Sequence, residues 1–405
     1  MGSRRRLLWV LALALPVPAF ADLSVQASGT GRYEYNSNVF QAPSSAALPA
    51  GTNNTKLGSS DFMEAGQLAA AYVISNQQFY TTLAGDHVSY DRFSELNHTD
   101  YTVEGGWDWK IASIWDGFLD VSRIRSMVSF YNLIGANLTL QTEQRETGKV
   151  RLQFLPDWRA AVTGMTRKVD QPQANAPSLG VKESSGRFDV DYLGMAGVTA
   201  GVTASYLHGS FSGAPSLFQP TYNQRSGGLT VTDDFTGRSS LRGQIGYTKR
   251  SSDAGTDNIS GVTGDLDYRI ALTGKTTADI ELSRLVNVFI ATTAAEIDNV
   301  AALRVNWQAT NKIAANVQYG YTHRNLPGQG TNPTIGVDRT DNLNIAQLTV
   351  TYKALSWLVL QPYFEYQSLA SGSDPGVAFN SKSYGIDFTL QWEEGVIPVR
   401  TPVVY

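Results

Sequence analysis

From Ser383 to Trp392 the chain reads S-Y-G-I-D-F-T-L-Q-W, with Tyr384, Ile386, Phe388, Leu390 and Trp392 apolar or aromatic and the intervening residues small or polar. Alternation with a period of two predicts a β-strand with one oily and one wet face. The same pattern recurs upstream. Leu23, Val25, Ala27, Tyr33 and Tyr35 share one face of an opening strand that carries Arg32 and Glu34 on the other, and Tyr101, Val103, Trp107, Trp109 and Ile111 oppose Thr102, Glu104, Asp108 and Lys110. Two stretches lose phase, near Gly85-Asp86 and near Ser122 to Ile124, and there the pattern predicts β-bulges. Counted along the chain, the pattern gives about eighteen strands, with sixteen as the main alternative because the second, third and tenth are poorly patterned.

The connections alternate in length. Short ones fall at Ser75 to Gln77, Pro156-Asp157 and Lys353 to Ser356, and long polar ones at Val169 to Ser185, Gly209 to Ser226, Arg324 to Asn342 and Gln367 to Lys382. Short turns on one side and long loops on the other describe a single antiparallel transmembrane β-barrel, all-β, with both chain ends on the turn side, the periplasm of a Gram-negative outer membrane. A soluble propeller should repeat about every 40 residues, and the sequence has no such repeat. Aromatics at strand ends, as at Trp107/Trp109 and Phe364/Tyr366, fit girdles at the two bilayer surfaces.

The N-terminus adds an address. Arg4 to Arg6 precede an apolar run from Leu7 to Phe20 that is shorter than the roughly 20 residues of a helical span, and Ala19-Phe20-Ala21 has the form of a secretory cleavage site. The expected organisation is therefore a cleaved signal peptide at 1–21, an outer-membrane β-barrel at 22–392 and a periplasmic C-terminal tail at 393–405, where Pro398 and Pro402 argue against a further ladder strand. Removing the signal shifts the formal charge from −4 to −7, which leaves no basic footprint for nucleic acid. The chain has no cysteine, so no disulfide staples it.

Chemistry is sparse. The four histidines, His87, His98, His208 and His323, lack metal-ligand spacing. Gly29-Thr30-Gly31 opens no helix and is not a phosphate loop, and Asp253 to Asp257 lacks the rest of a calcium loop. No catalytic, metal-binding or cofactor-binding residue is predicted, no cofactor is expected, and the chain reads as a non-enzyme. The inward face says more. Alternation points Arg32, Glu34, Glu104, Asp108, Lys110, Arg123, Arg125, Lys149 and Arg151 into the barrel, and likewise Arg187, Asp189, Asp191, Arg242, Asp265, Asp267, Arg304 and Asp387. Arg159, Arg167, Arg269, Asp279 and Glu281 follow the same rule. These residues either pair across neighbouring strands and fill the interior or line a hydrated path whose charge selects the solute.

The closing strand resembles the one that the barrel assembly machinery reads in outer-membrane proteins, and that resemblance makes Tyr384, Gly385, Phe388, Leu390 and Trp392 an assembly signal. Phe388→Asp should then damage assembly, while lumen-facing Asp387 should accept Asn. Y-E-Y-N-S-N-V-F (Tyr33 to Phe40), S-R-I-R-S-M-V-S-F (Ser122 to Phe130), F-L-P-D-W (Phe154 to Trp158) and the closing strand together resemble the EpsL-like outer-membrane β-barrel proteins of exosortase-associated exopolysaccharide clusters, within a wider β-barrel porin group. That resemblance implies a role in exopolysaccharide production or export. It also implies outer-membrane lipid, the assembly machinery, polysaccharide and periplasmic export components as partners. A general solute porin and an outer-membrane hydrolase are the other readings open at this point.

Overall fold

The computed structural model describes residues 21–44, 56–132, 138–172, 178–194, 197–213, 221–234, 237–253, 258–289, 294–326, 339–372 and 377–394. Residues 1–20 of the expected signal peptide and the tail beyond Glu394 lie outside them. Eighteen strands follow in chain order: β1 (Ala21–Asn36), β2 (Ser59–Ile74), β3 (Gln77–Tyr90), β4 (His98–Ile111), β5 (Trp115–Met127), β6 (Leu140–Leu155), β7 (Trp158–Gln171), β8 (Leu179–Leu193) and β9 (Thr199–Ser212). The second half comprises β10 (Thr221–Asp233), β11 (Ser239–Ser252), β12 (Ile259–Thr273), β13 (Thr276–Phe289), β14 (Ala294–Gln308), β15 (Ile313–Leu326), β16 (Arg339–Leu355), β17 (Leu358–Ser371) and β18 (Phe379–Glu394). Each pairs antiparallel with its neighbours in sequence, and β1 pairs with β18 from Val25 opposite Glu394 to Asn36 opposite Ser383. The sheet is closed. Closure removes both edges, which is how a β-structure satisfies every backbone group inside lipid.

Residues directly opposite in an antiparallel ladder face the same side. Val121, Val162, Leu229, Ile245 and Val262 are each more than half exposed, at 55–60%, and together they mark the outer apolar belt. The seven described tryptophans, Trp107, Trp109, Trp115, Trp158, Trp307, Trp357 and Trp392, all lie near the short-turn end, whereas Tyr33, Tyr35, Tyr206, Tyr319, Tyr321, Tyr366 and Tyr384 lie toward the loop end. Phe79 stacks on Trp107 with centroids 5.9 Å apart, and Tyr35 lies 5.2 Å from Tyr384 across the seam. These are the two girdles.

The expected bulges in β3 and β5 are absent. Both ladders of each strand run in continuous register; where the ladders shift, they do so beside short turns, between Gln153/Leu155, Ala271/Thr273 and Lys353/Leu355. Val88 and Tyr90 in β3 face inward, and Tyr90 packs under the loops rather than on lipid. Strands of 13 to 17 residues exceed the 9–11 or so that a tilted strand needs to span. They run on past the belt at the loop end, so β7–β8 and β9–β10 are joined by loops shorter than the sequence pattern indicated. Beyond the belt nothing requires an apolar outer face, and the alternation that would reveal a strand disappears.

Candidate channel lumen and its loop-end closure

The lumen is built from the inward half of every strand. In the structure Arg32, Glu34, Glu104, Asp108, Lys110, Lys149, Arg151, Arg187, Asp189, Asp191, Arg242, Asp265, Asp267, Arg304 and Asp387 take the inward phase. Arg123 and Arg125 do not. They are opposite Val103 and Tyr101 and in phase with Leu119 and Val121, so they project from the outer wall. The sequence reading placed a bulge in β5 to bring Val128 and Phe130 outward, and this inserted the error. Both residues are buried beneath the loops.

Several inward charges are paired, mostly across to the adjacent strand and, for Arg187 and Asp189, within β8. Arg32 holds Asp387 through Nε–Oδ1 at 2.6 Å and Nη2–Oδ2 at 2.9 Å; its guanidinium also lies over the ring of Tyr363, whose hydroxyl donates to Glu34. Arg151 pairs with Asp116, Arg159 with Asp191 at 2.9 Å, and Arg187 with Asp189 at 2.7 Å. The wall of β11–β15 is looser. There Arg242, Arg269 and Arg304 face Asp267, Asp279 and Glu281 around a cavity of about 520 Å³, with Arg269 only 3.7 Å from Asp279. Loosely held charges of both signs give water and solute exchangeable contacts.

At the loop end the lumen narrows from two sides. On one side the segments after β1, β3 and β5 fold over the mouth, where Val39, Phe40, Ala42, Phe93, Leu96 and Phe130 form a buried cluster. The rings of Phe93 and Phe130 lie 4.8 and 5.2 Å from that of Phe40. Tyr131 reaches Phe379, Gln41 donates to Gln367 Oε1 at 3.1 Å, and Arg324 donates to Asn132 Oδ1 at 2.9 Å, which ties these segments to β18, β17 and, across the barrel, β15. Arg324 itself is held by Glu296 at 3.1 Å and Asp298 at 3.4 Å.

On the other side the loop end of β13 leans inward. The β12–β13 ladder stops at Gly264 opposite Arg284, although β12 starts at Ile259 and β13 continues to Phe289. Val286 to Val288 then share a cavity of about 330 Å³ with inward residues of β6 to β11, among them Arg167, Glu183 and Arg250. Val288 packs against the buried cluster of Val169, Val181, Phe211 and Tyr222, and Arg250 donates to the Asn287 carbonyl at 3.4 Å. This end of β13 rests on a stiff polar patch. Arg167 bridges Glu143 and Glu183, each at 3.0 Å; Tyr222 donates to Glu183; and Arg250 stacks 3.6 Å above the Tyr222 ring. Gly209 lies opposite Tyr222, and a side chain there would collide with that ring.

Of this patch the sequence reading reached only Arg167, because Glu183 and Tyr222 fell in stretches assigned to loops. Extending the odd-numbered phase of Arg187, Asp189 and Asp191 backward by two steps would have found Glu183. The histidines serve the wall. His87, His208 and His323 bond Thr99, Asn223 and Asn342 on the outer face, and His98 is buried with Nδ1 2.7 Å from the Leu96 carbonyl. Among the described residues no group of His, Asp or Glu is arranged to hold a metal.

Residues 221–392, from the start of β10 to within two residues of the end of β18, match the family model described as Putative beta-barrel porin 2. An outer-membrane β-barrel of porin type is the reading this match and the closed eighteen-stranded wall support. No curated protein matches the chain in sequence. Among solved structures it is similar to the FrpB iron transporter of Neisseria meningitidis (10% identity, TM-score 0.50, covering 86% of this chain and 62% of that one). It is also similar to the outer membrane protein opdK of Pseudomonas aeruginosa (13%, TM-score 0.48, 91% and 99%) and to the siderophore receptor PirA of Acinetobacter baumannii (8%, TM-score 0.46, 90% and 80%). At these identities the likeness concerns the fold alone.

Proposed function

We propose that the chain is an outer-membrane channel for a hydrated, polar cargo, and that the cargo is exopolysaccharide on its way out of the cell. The observation that carries this reading is the lumen wall of β11 to β15, where three arginines and three carboxylates face an open cavity without locking into tight pairs. A polymer of hydroxylated sugars needs contacts that exchange with water. A hydrogen bond made against competing water nets only about 1 kcal/mol, so such a wall guides the polymer without trapping it. The resemblance of Tyr33 to Phe40 and of the closing strand to proteins of exopolysaccharide clusters names the cargo class.

The loops and the end of β13 at the mouth favour a gated export channel over a permanently open solute porin. Barrels of this strand number are wide enough for water, so the restriction comes from the loops and the end of β13 and can be relieved without altering the wall. Periplasmic export components would deliver the polymer to the turn side, and the channel would act without catalysis. Deleting the gene should reduce surface exopolysaccharide while small-solute uptake stays near its normal rate. Normal surface polymer together with slowed solute uptake would replace this reading with the general porin, and polymer hydrolysis by the purified barrel would replace it with the enzyme.

A further inference from the structure

The outer wall carries a feature that neither span nor channel requires. On the outward face of β7 to β11, just past the apolar belt on the loop side, Lys168 stands directly opposite Lys182 and Arg225 directly opposite Lys249. All four side chains are exposed. Like charges placed directly opposite in a ladder destabilise it. Lys168 is answered by Asp170 at 2.7 Å, but among the described residues no carboxylate pairs with Lys182, Arg225 or Lys249.

Height and neighbours say what could answer them. Arg225 is four residues from Leu229 and Lys249 four from Ile245 on the same face. Four residues rise about 13 Å along a strand and roughly 10 Å along the membrane normal once tilt is included, close to the half-height of the roughly 25 Å apolar band. That is the level of lipid phosphates. Below Arg225 and Lys249 the wall is hollow. A mostly apolar depression of about 750 Å³ is lined by Leu229, Ile245, Val262 and Leu282, and its floor lacks side chains at Gly243 and Gly264. At the same level on β15 and β16 the outer face carries no such charge. There Tyr319 and Tyr321 donate to Asn344 and Asn342 at 2.8 and 2.7 Å.

We infer that β10 to β13 hold a phosphorylated lipid from the loop-side leaflet, its phosphate between Arg225 and Lys249 and an acyl chain in the hollow beneath them. The stacking of Arg225 over the Tyr206 ring, 6.0 Å from its centroid, orients the guanidinium along the wall. A free anion would gain nothing from the apolar walls of the hollow, where Arg284 is already held by the Val262 carbonyl and by Asn299, and a neutral lipid would gain nothing from Arg225 and Lys249.

The test uses the full barrel purified in detergent, with lipid A, dephosphorylated lipid A and inorganic phosphate as three separate probes, and native mass spectrometry as the readout. Lipid A should be retained, with dephosphorylated lipid A and phosphate retained at least about tenfold less. Surface cations add to the retention of anionic lipid, so Arg225→Gln with Lys249→Gln should cost about tenfold or more in lipid A retention. Arg242→Gln, which faces the lumen, should cost nothing. Should the double variant fail to give the gel shift of a folded barrel, wild-type retention is followed from low to high salt, where it should fall steeply. Equal retention of the dephosphorylated lipid, equal binding of phosphate, an unaffected double variant or salt-independent binding would each overturn the inference.

Discussion

Arg32 on β1 and Asp387 on β18 lie directly opposite in the seam that closes the barrel, joined by two parallel hydrogen bonds of 2.6 and 2.9 Å. The two residues are 355 positions apart in sequence. Two-point geometry of this kind is the strong form of a charged hydrogen bond. Alternation alone made Asp387→Asn a tolerated change, because it considers the face and not the partner. With the pair in place, the asparagine should cost about 1 kcal/mol, discounted for an Arg32 side chain that is 36% exposed. Urea unfolding followed by loss of the heat-modifiable gel band measures it, and an unchanged midpoint would show that the seam does not depend on this contact.

Phe388, one residue on, is 47% exposed on the outer face. Phe388→Asp places a charge on that face, which costs ~2 kcal/mol or less for an acid, and it also disturbs the strand expected to direct assembly. The folded fraction in outer-membrane preparations should fall more than for Asp387→Asn. Equal folded fractions for the two variants would reverse the assignment of faces in β18.

Charge reversal in the lumen should change selectivity. Arg242→Glu with Arg304→Glu converts two of the cations around the β11–β15 cavity into anions, so planar bilayers should report a reversal potential shifted toward cations. Arg123→Glu with Arg125→Glu changes the same number of charges on the outer wall and should leave that potential where it was. A shift of equal size from the outer pair would mean that the lumen charges do not set selectivity.

The mouth should open when its packing is weakened. Phe93 is fully buried and edge-on to Phe40; truncating such a ring typically costs about 3–5 kcal/mol in a packed core. Here the loss falls on loops rather than on the wall. Phe93→Ala should therefore raise single-channel conductance or open probability while the barrel keeps its gel shift. Conductance indistinguishable from the parent would locate the restriction at the loop end of β13 instead.

What could be read from the sequence followed the lipid. Within the belt, one face must be apolar, and strands such as β4 and β18 declare their phase through Trp107, Trp109, Phe388 and Trp392. Above the belt that requirement lapses. Apolar residues there mark the underside of loops, so Val128 and Phe130 were read as lipid-facing when they are buried beneath the mouth, and Arg123 and Arg125 were drawn inward with them. The patch of Glu183, Tyr222 and Arg250 stayed hidden because above the belt the apolar residues of its strands, Val181 and Tyr222 among them, face inward while the outer face is polar, the reverse of the pattern within the belt. The inward lean of β13 has no signature in the pattern, since the departure at Gly264 is a break in pairing, not in alternation.

The seam also dictates an order of events. β1 is made first, yet its second partner is the last strand of the barrel, and until Ser383 to Glu394 arrive β1 keeps one side of its backbone open. Every other ladder joins neighbours in sequence and can zip as the chain lengthens. Loop closure over so many residues is slow to be repaid, and an open edge invites pairing with foreign strands. Assembly is thus a race between joining the two ends and losing β1 to another chain, and whatever shields β1 in the interval sets the yield.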